Sequence, residues 1–451
     1  MNHRVTFLLR AFTCAILLAV TAGSTGTRAA GERYLLTLSD DSTLDDVLAR
    51  HDLELKDAIE GTHVYRIEDS LGRSEKDLEN ELLGDLEVFD FELDGAHVLT
   101  EIPQAQVNQS TAAILEAVRK STPVPYYGAS VPSAYVTQPA SKIIGLANAQ
   151  AAGGTGQVTV AVIDTGVDPD HPVLKGVLTP GYDFTRDLAG SASELIDLNQ
   201  STAAILEQST SAILEGDTVA VLNQSTAAIL EQSTAAILES LPPAFGHGTM
   251  VAGLVHLVAP TARIMPLKAF TADGTSQAFD LVRAIYYAVD HGARVINMSW
   301  SMPERSRTLD RAIEYARVHG VALVTSVGNA GRLDAVAYPA LTSGVLGIAS
   351  TSNSDKRSTF SNSGDRLVFE AAPGEALITT YPGGNYAAAW GTSFSAAVVS
   401  GGAGLLAREV APELAPADND AVKSALQKTK KLTSDLGRGR LDLQKAVANK
   451  F

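Results

Sequence analysis

The sequence predicts an α/β protein whose larger part is a doubly wound, mostly parallel sheet, preceded by a small α+β domain. Five apolar runs rich in β-branched residues, VTVAVID (158–164), ARIMPLKAF (262–270), ARVINMS (293–299), VALVTSV (321–327) and GVLGIAS (344–350), are separated or followed by helical stretches near 276–290, 308–319 and 392–409. Uninterrupted runs of this kind belong to strands covered on both faces, as in parallel sheets. Residues 33–101 instead alternate short strand-like and helix-like patterns. With 451 residues, 45% hydrophobic and 19% charged, the chain has room for one large domain and a smaller one.

In chain order, the opening MNHRVTFLLRAFTCAILLAVTAGSTGTRAA carries Arg4 and Arg10, an apolar run from Ala11 to Val20 and small residues around Thr27 and Ala29. That is the pattern of a secretory signal over residues 1–29. The run is short for a bilayer span, and no later stretch reaches the roughly 20 apolar residues a transmembrane helix needs. An exported product without a transmembrane anchor, periplasmic or extracellular, is expected. Cys14, the only cysteine, lies inside the signal, so the processed chain would hold no disulfide. Its stability would rest on core packing or bound ions, and structural calcium would suit it, at sites the sequence does not place.

Within a small domain at 32–104, RYLLTLS, STLDDVLARHD, THVYRIED, SEKDLENELLGDL and HVLTEI read as strand, helix, strand, helix, strand. A linker is expected at 105–140, because STPVPYYGASVPSAYVTQPA (121–140) is rich in Pro, Ser and Tyr and lacks helical periodicity. The large domain then runs from 141 to 451.

Residues 192–239 interrupt it with six contiguous octads, ASELIDLN, QSTAAILE, QSTSAILE, GDTVAVLN, QSTAAILE and QSTAAILE, and a further QSTAAILE fills 109–116. Equivalent side chains of an eight-residue repeat fall about 80° apart around a helix, so no continuous apolar stripe forms. A strand would keep register, yet Ala, Leu, Glu and Gln favour helix. The array holds seven acids and no base, which reads as a solvated surface insertion, with a partner-binding array as the sharper alternative.

Four residues carry the chemistry. Asp164 closes the run VTVAVI, at the carboxyl end of a strand, where open α/β sheets build their sites; a turn or cap is its plainer use. His247 lies between Gly246 and Gly248, which allow close backbone approach, at the entrance of an apolar helix. His256 within that helix reads as a packed core residue, and His171 in DPDHP as a turn brace. Ser393, in GTSFSAAVVSGGAGLL, opens another helix of small residues whose N-terminal N–H groups favour a developing oxyanion; Ser and Thr are also preferred N-caps. Asn329, in VTSVGNAG, follows a strand where its amide could donate to a substrate carbonyl oxygen.

AVIDTGVDPDHPVL, GHGTMVAGLVHLVAP, VINMSWS, VTSVGNAG and GTSFSAAVVSGGAGLL resemble the successive signature blocks of subtilisin-type (subtilase, S8) serine peptidases, over about 140–450. The resemblance implies an Asp164–His247–Ser393 triad with Asn329 as oxyanion donor, an order and an asparagine role known from subtilisin itself. It also implies a subtilisin-like fold, polypeptide substrates cleaved through an acyl-enzyme, and no cofactor needed for the chemistry. Ser299, Trp300 and Ser301 would pair with an extended substrate, and Gly328, before Asn329, would line the other side. Many relatives have glycine where Ser301 stands, which implies a narrower pocket; Trp300 reads equally as a core aromatic. Residues 33–101 resemble more weakly the family's ferredoxin-like propeptide, an intramolecular inhibitor and folding helper.

A net charge of −16, from 51 acids against 35 bases, excludes a phosphate-backbone partner as the organising ligand, so no nucleic acid is expected. A monomer is expected. The competing reading is a catalytically idle scaffold that presents the octads to a partner.

Overall fold

A computed structural model describes residues 32–98, 114, 116–152, 157–190, 192–198 and 241–450. The signal segment lies outside these residues, as do 199–240 of the octad region and all but two residues of the copy at 109–116.

The small domain is built from β1 (Arg33–Leu38), α1 (Leu44–Arg50), β2 (Leu53–Ile59), β3 (Val64–Asp69), α2 (Glu75–Leu82) and β4 (Val88–Leu93). Its antiparallel sheet has the order β2-β3-β1-β4. Tyr34, Leu36, Val47, Ile67, Leu78, Leu82 and Phe91 close a core of its own. The sequence reading missed β2 and β4 and assigned the last strand to HVLTEI. That segment instead begins in β5 (Ala96–Val98), which pairs with the large domain.

The stretch expected as a linker is folded over its second half. It forms the hairpin β6 (Pro123–Tyr126) and β7 (Ala129–Pro132), followed by α3 (Ser133–Thr137), α4 (Pro139–Ile143) and α5 (Leu146–Ala151). Its tyrosines are the reason: the buried Tyr135 donates its hydroxyl to the Gly253 carbonyl at 2.6 Å, so the segment packs onto the large domain.

The large domain comprises β8 (Thr159–Asp164), β9 (Tyr182–Asp183), β10 (Leu188–Ala189), α6 (His247–Val258), β11 (Arg263–Lys268), β12 (Thr275–Gln277), α7 (Ala278–Asp290), β13 (Ala293–Met298), α8 (Arg307–Val318), β14 (Ala322–Ser326), β15 (Val345–Thr351), β16 (Glu370–Pro373), β17 (Leu377–Tyr381), β18 (Asn385–Ala389), α9 (Thr392–Leu406), α10 (Ala415–Leu426) and α11 (Leu443–Lys450). Eight strands form one sheet in the order β10-β9-β11-β8-β13-β14-β15-β16, parallel except for β9–β10. All five runs expected as buried strands lie in it.

Alternation along β8 divides the core between the two faces of the sheet. Val160 and Val162 join the α6 and α9 side, whereas Ala161 and Ile163 join the α7 and α8 side. Every residue of α6 and α9 is buried, as helices apolar all round must be. A Cβ at Gly401 would meet Val258 at 2.6 Å, so the missing side chain is what lets α9 lie against α6.

The first octad corrects its expectation. Ala192 and Glu194 are buried, and Asp197 is nearly so. Their polar atoms meet donors from the large domain, which water around a surface loop would otherwise have supplied.

Candidate active site

The carboxyl ends of three adjacent strands supply one wall of the site, and the N-terminal ends of two helices supply the other. Asp164 ends β8, Ser299–Ser301 follow β13, and Gly328–Asn329 follow β14. His247 begins α6 and Ser393 is the second residue of α9. Asp164, His247 and Ser393 are all buried.

His247 Nδ1 lies 2.7 Å from Asp164 Oδ1. An ionised carboxylate only accepts, so Nδ1 carries the proton and Nε2 keeps its lone pair. Asp164 Oδ1 also accepts from the Thr165 N–H at 2.8 Å, which fixes the carboxylate on its turn. The imidazole stands 5.5 Å, centroid to centroid, from the ring of Phe394, the neighbour of Ser393. Distant stretches thus bring a carboxylate and an imidazole together, with the residue after Ser393 beside the ring.

The two glycines around His247 serve contact. A Cβ at Gly248 would stand 1.9 Å from the Gly166 carbonyl oxygen, and one at Gly246 (φ +88°) would stand 2.3 Å from the Tyr381 ring. The Gly248 N–H donates to Thr165 Oγ1 at 3.0 Å, tying the helix start to the Asp164 turn.

Ser393 is held reciprocally. Ser299 Oγ donates to the Ser393 carbonyl at 2.9 Å, and Ser393 Oγ reaches the Ser299 carbonyl at 3.3 Å. Asn297 Nδ2 donates to Ser299 Oγ at 2.9 Å, and Ser400 Oγ donates to Asn297 Oδ1 at 2.8 Å, so a buried polar chain links α9 to β13. Asn329 Oδ1 accepts from the Thr392 N–H at 2.9 Å and its hydroxyl at 3.0 Å. Asn362, which the sequence reading did not single out, braces the loop by donating Nδ2 to the Val327 carbonyl at 2.8 Å.

Ser301 and Gly328 face each other, since a Cβ at Gly328 would stand 3.3 Å from Ser301 Oγ. The Trp300 side chain is buried in the core, 6.1 Å from the Phe270 ring, as a core aromatic would be. His256 is a core residue, its pKa pushed down to about 4 by burial and then by His171. His171 does brace its turn, accepting from the Val173 N–H at 3.2 Å through Nδ1. Among the described residues, no three His, Cys, Asp or Glu side chains are grouped to hold a metal ion.

Residues 155–446 match the family described as the subtilase family, peptidase S8. The chain is 32% identical over 302 residues to thermitase of Thermoactinomyces vulgaris, covering 64% of this chain and 88% of that protein. It is 34% identical over 170 residues to subtilisin BL of Lederbergia lenta, 36% of this chain and 62% of the relative. Fervidolysin from Fervidobacterium pennivorans, a keratinolytic enzyme related to subtilisin, superposes with a TM-score of 0.64 at 22% identity, over 93% of this chain and 61% of that one. At that identity the likeness is one of fold.

Proposed function

The chain belongs to the subtilase family, and from that premise we propose that it is an exported endopeptidase that cleaves polypeptides through an acyl-enzyme on Ser393. His247 Nε2 takes the proton of the Ser393 hydroxyl as Oγ attacks the scissile carbonyl, then returns it to the leaving amine. Asp164 holds the productive tautomer and stabilises the imidazolium. The oxyanion is met by Asn329 Nδ2 and the backbone N–H of Ser393 at the start of α9. Water then repeats the sequence on the ester.

The observation that carries this reading is the 2.7 Å contact between His247 Nδ1 and Asp164 Oδ1, with the ring packed beside the residue that follows Ser393. The substrate lies extended between Ser299–Ser301 and Gly328, and Ser301 narrows the pocket for the residue before the scissile bond.

The small domain serves as intramolecular inhibitor. Its Glu92 accepts from Ser306 Oγ at 2.6 Å, Arg307 N–H at 3.0 Å and Thr308 N–H at 3.3 Å, so a carboxylate sits on the N-terminus of α8. Its β5 pairs antiparallel with β12. Such docking fits a domain released by cleavage downstream of it.

Ser393→Ala is expected to abolish peptide hydrolysis and removal of the small domain together, read by a chromogenic peptide assay and by N-terminal sequencing of the product. Hydrolysis at the original rate in the purified variant would refute the assignment.

A further inference from the structure

Resting on that peptidase reading, we propose that Glu194 is a positioning residue for the Asp164–His247 pair, clamping the turn that carries the carboxylate to the helix start that carries the imidazole. Glu194 belongs to the first octad, yet it is fully buried. Its Oε2 accepts from the Gly246 N–H at 2.8 Å and from Thr165 Oγ1 at 3.1 Å, and Thr249 Oγ1 donates to its Oε1. Those donors are the residue before His247, the residue after Asp164 and the second residue after His247. One carboxyl therefore grips both halves of the pair without bonding to either member.

The charged and titratable groups around it are Asp164 on β8, Asp168 in the following loop, His247 at the start of α6, Lys268 on β11, Asp197 on its own segment and Tyr381 on β17. The cations are committed elsewhere. Lys268 Nζ bonds Asp197 Oδ2 at 2.7 Å and the carbonyls of Thr165 and Phe270, and Arg186 pairs with Asp183 and Asp197. Burial, the largest influence, pushes the Glu194 carboxyl up to about 8 against the Thr249 and Gly246 hydrogen bonds and the Lys268 charge. Burial thus favours the protonated form, whose O–H turns to Thr249 Oγ1 so that the Oε1 contact runs from acid to hydroxyl.

The Thr165 hydroxyl proton links this group to the pair. It has two acceptors in reach, Asp164 Oδ1 at 3.3 Å and Glu194 Oε2 at 3.1 Å. Neutral Glu194 leaves that proton to Asp164. Ionised Glu194 draws it away and adds a second negative charge beside the imidazole. Both changes favour the imidazolium that forms in the transition state, so turnover gains from the ionisation.

The test uses the full-length chain, allowed to mature, with competent sites counted by a fluorophosphonate probe. Glu194→Ala is expected to lower kcat about 10- to 100-fold with KM within about threefold, because a misplaced imidazole fails in the transition state and not in binding. Glu194→Gln, which keeps the shape of the neutral acid, restores most of that loss near pH 7. Wild-type kcat/KM then climbs a further three- to tenfold or so through pH 8, beyond the plateau of Glu194→Gln.

A wild-type kcat in Glu194→Ala, or superimposable alkaline profiles for Glu194→Gln and wild type, would overturn the proposal. If Glu194→Ala does not fold, the Glu194→Gln profile decides alone. Turnover surviving in Ser393→Ala would instead sink the peptidase reading beneath it, a different failure.

Discussion

Asn329 is fixed by its acceptor end. Thr392 occupies Oδ1 from both backbone and hydroxyl, and a Cβ at Gly391 (φ +150°) would stand 3.4 Å from Nδ2. A side chain at that position would thus touch the amide nitrogen. Asn329→Ala is expected to lower kcat about 10²–10³-fold with little change in KM, the loss that removing such a donor produces in a subtilisin; steady-state kinetics on a peptide substrate would show it. An unchanged kcat would mean that the developing charge is met elsewhere. The four residues that carry the proposed chemistry were legible because each is polar, follows an apolar run or opens a buried helix, and stands beside glycine or another turn former. Glu194 was not legible, because an acid in an acid-rich repeat looks solvated. The one available signal was that its octad, ASELIDLN, departs from the QSTAAILE of its neighbours. Thr165 and Asn362 were missed for another reason: their contribution is a hydrogen bond to a distant backbone, which no local pattern encodes.

Among the elements, period and length identified the buried parallel strands, whereas the small antiparallel sheet was half missed. In β2, LELKDAI carries a register shift between Leu55 and Asp57 that breaks its alternation, and β4 lies in the gap between the helix read over 74–86 and the strand read at HVLTEI. A strand pattern also does not say which sheet it joins. The residues around His97 pair with Thr275–Gln277 across the domain junction, where the sequence reading had them closing the small sheet. That junction combines an apolar cluster, Leu35 and Val64 against Ala278 and Phe279, with ion pairs: Asp90 pairs with Arg307 at 2.8 Å and Arg311 at 2.9 Å, beside the Glu92 cap on α8. If the small domain inhibits, Glu92→Ala should raise its inhibition constant about fivefold when it is added in trans to the mature enzyme, since a carboxylate on a helix N-terminus contributes about 1 kcal/mol. An unchanged constant would mean that β5 pairing, the arginine pairs and the apolar cluster carry the docking. On the facing strands of the groove, Ser301→Gly should raise kcat/KM for peptides with a bulky residue before the scissile bond by about fivefold relative to small ones. Equal effects on both would remove Ser301 from the pocket wall.

Across the whole molecule, buried carboxyls set the pH at which the fold is firmest. Burial pushes Glu194 up to about 8 and Asp280, at the domain junction, up to about 6, while Glu370, with neither oxygen hydrogen-bonded among the described residues, is raised as well. An unfolded glutamate releases its proton near 4.5. Between that point and the native values the unfolded chain sheds protons that the fold retains, so stability declines as pH rises, for Glu194 up to about 8. Glu81 and Asp85 act in the opposite direction, because hydrogen bonds from His51 first, and then from Arg73 and Arg50, hold them below their usual range. The stability they contribute is present above the ordinary carboxylate range and is lost as acid protonates them. The two groups of carboxyls leave a maximum near pH 5, below the neutral range in which the proposed imidazole base works. Thermal unfolding of the full-length Ser393→Ala protein, which cannot digest itself on the proposed mechanism, should give its highest Tm there and fall towards pH 8. Glu194→Gln and Glu370→Gln should each flatten that fall, because the amide has no proton to lose; a Tm that rises from pH 5 to 8, or a slope indifferent to both substitutions, would show that these acids do not govern it.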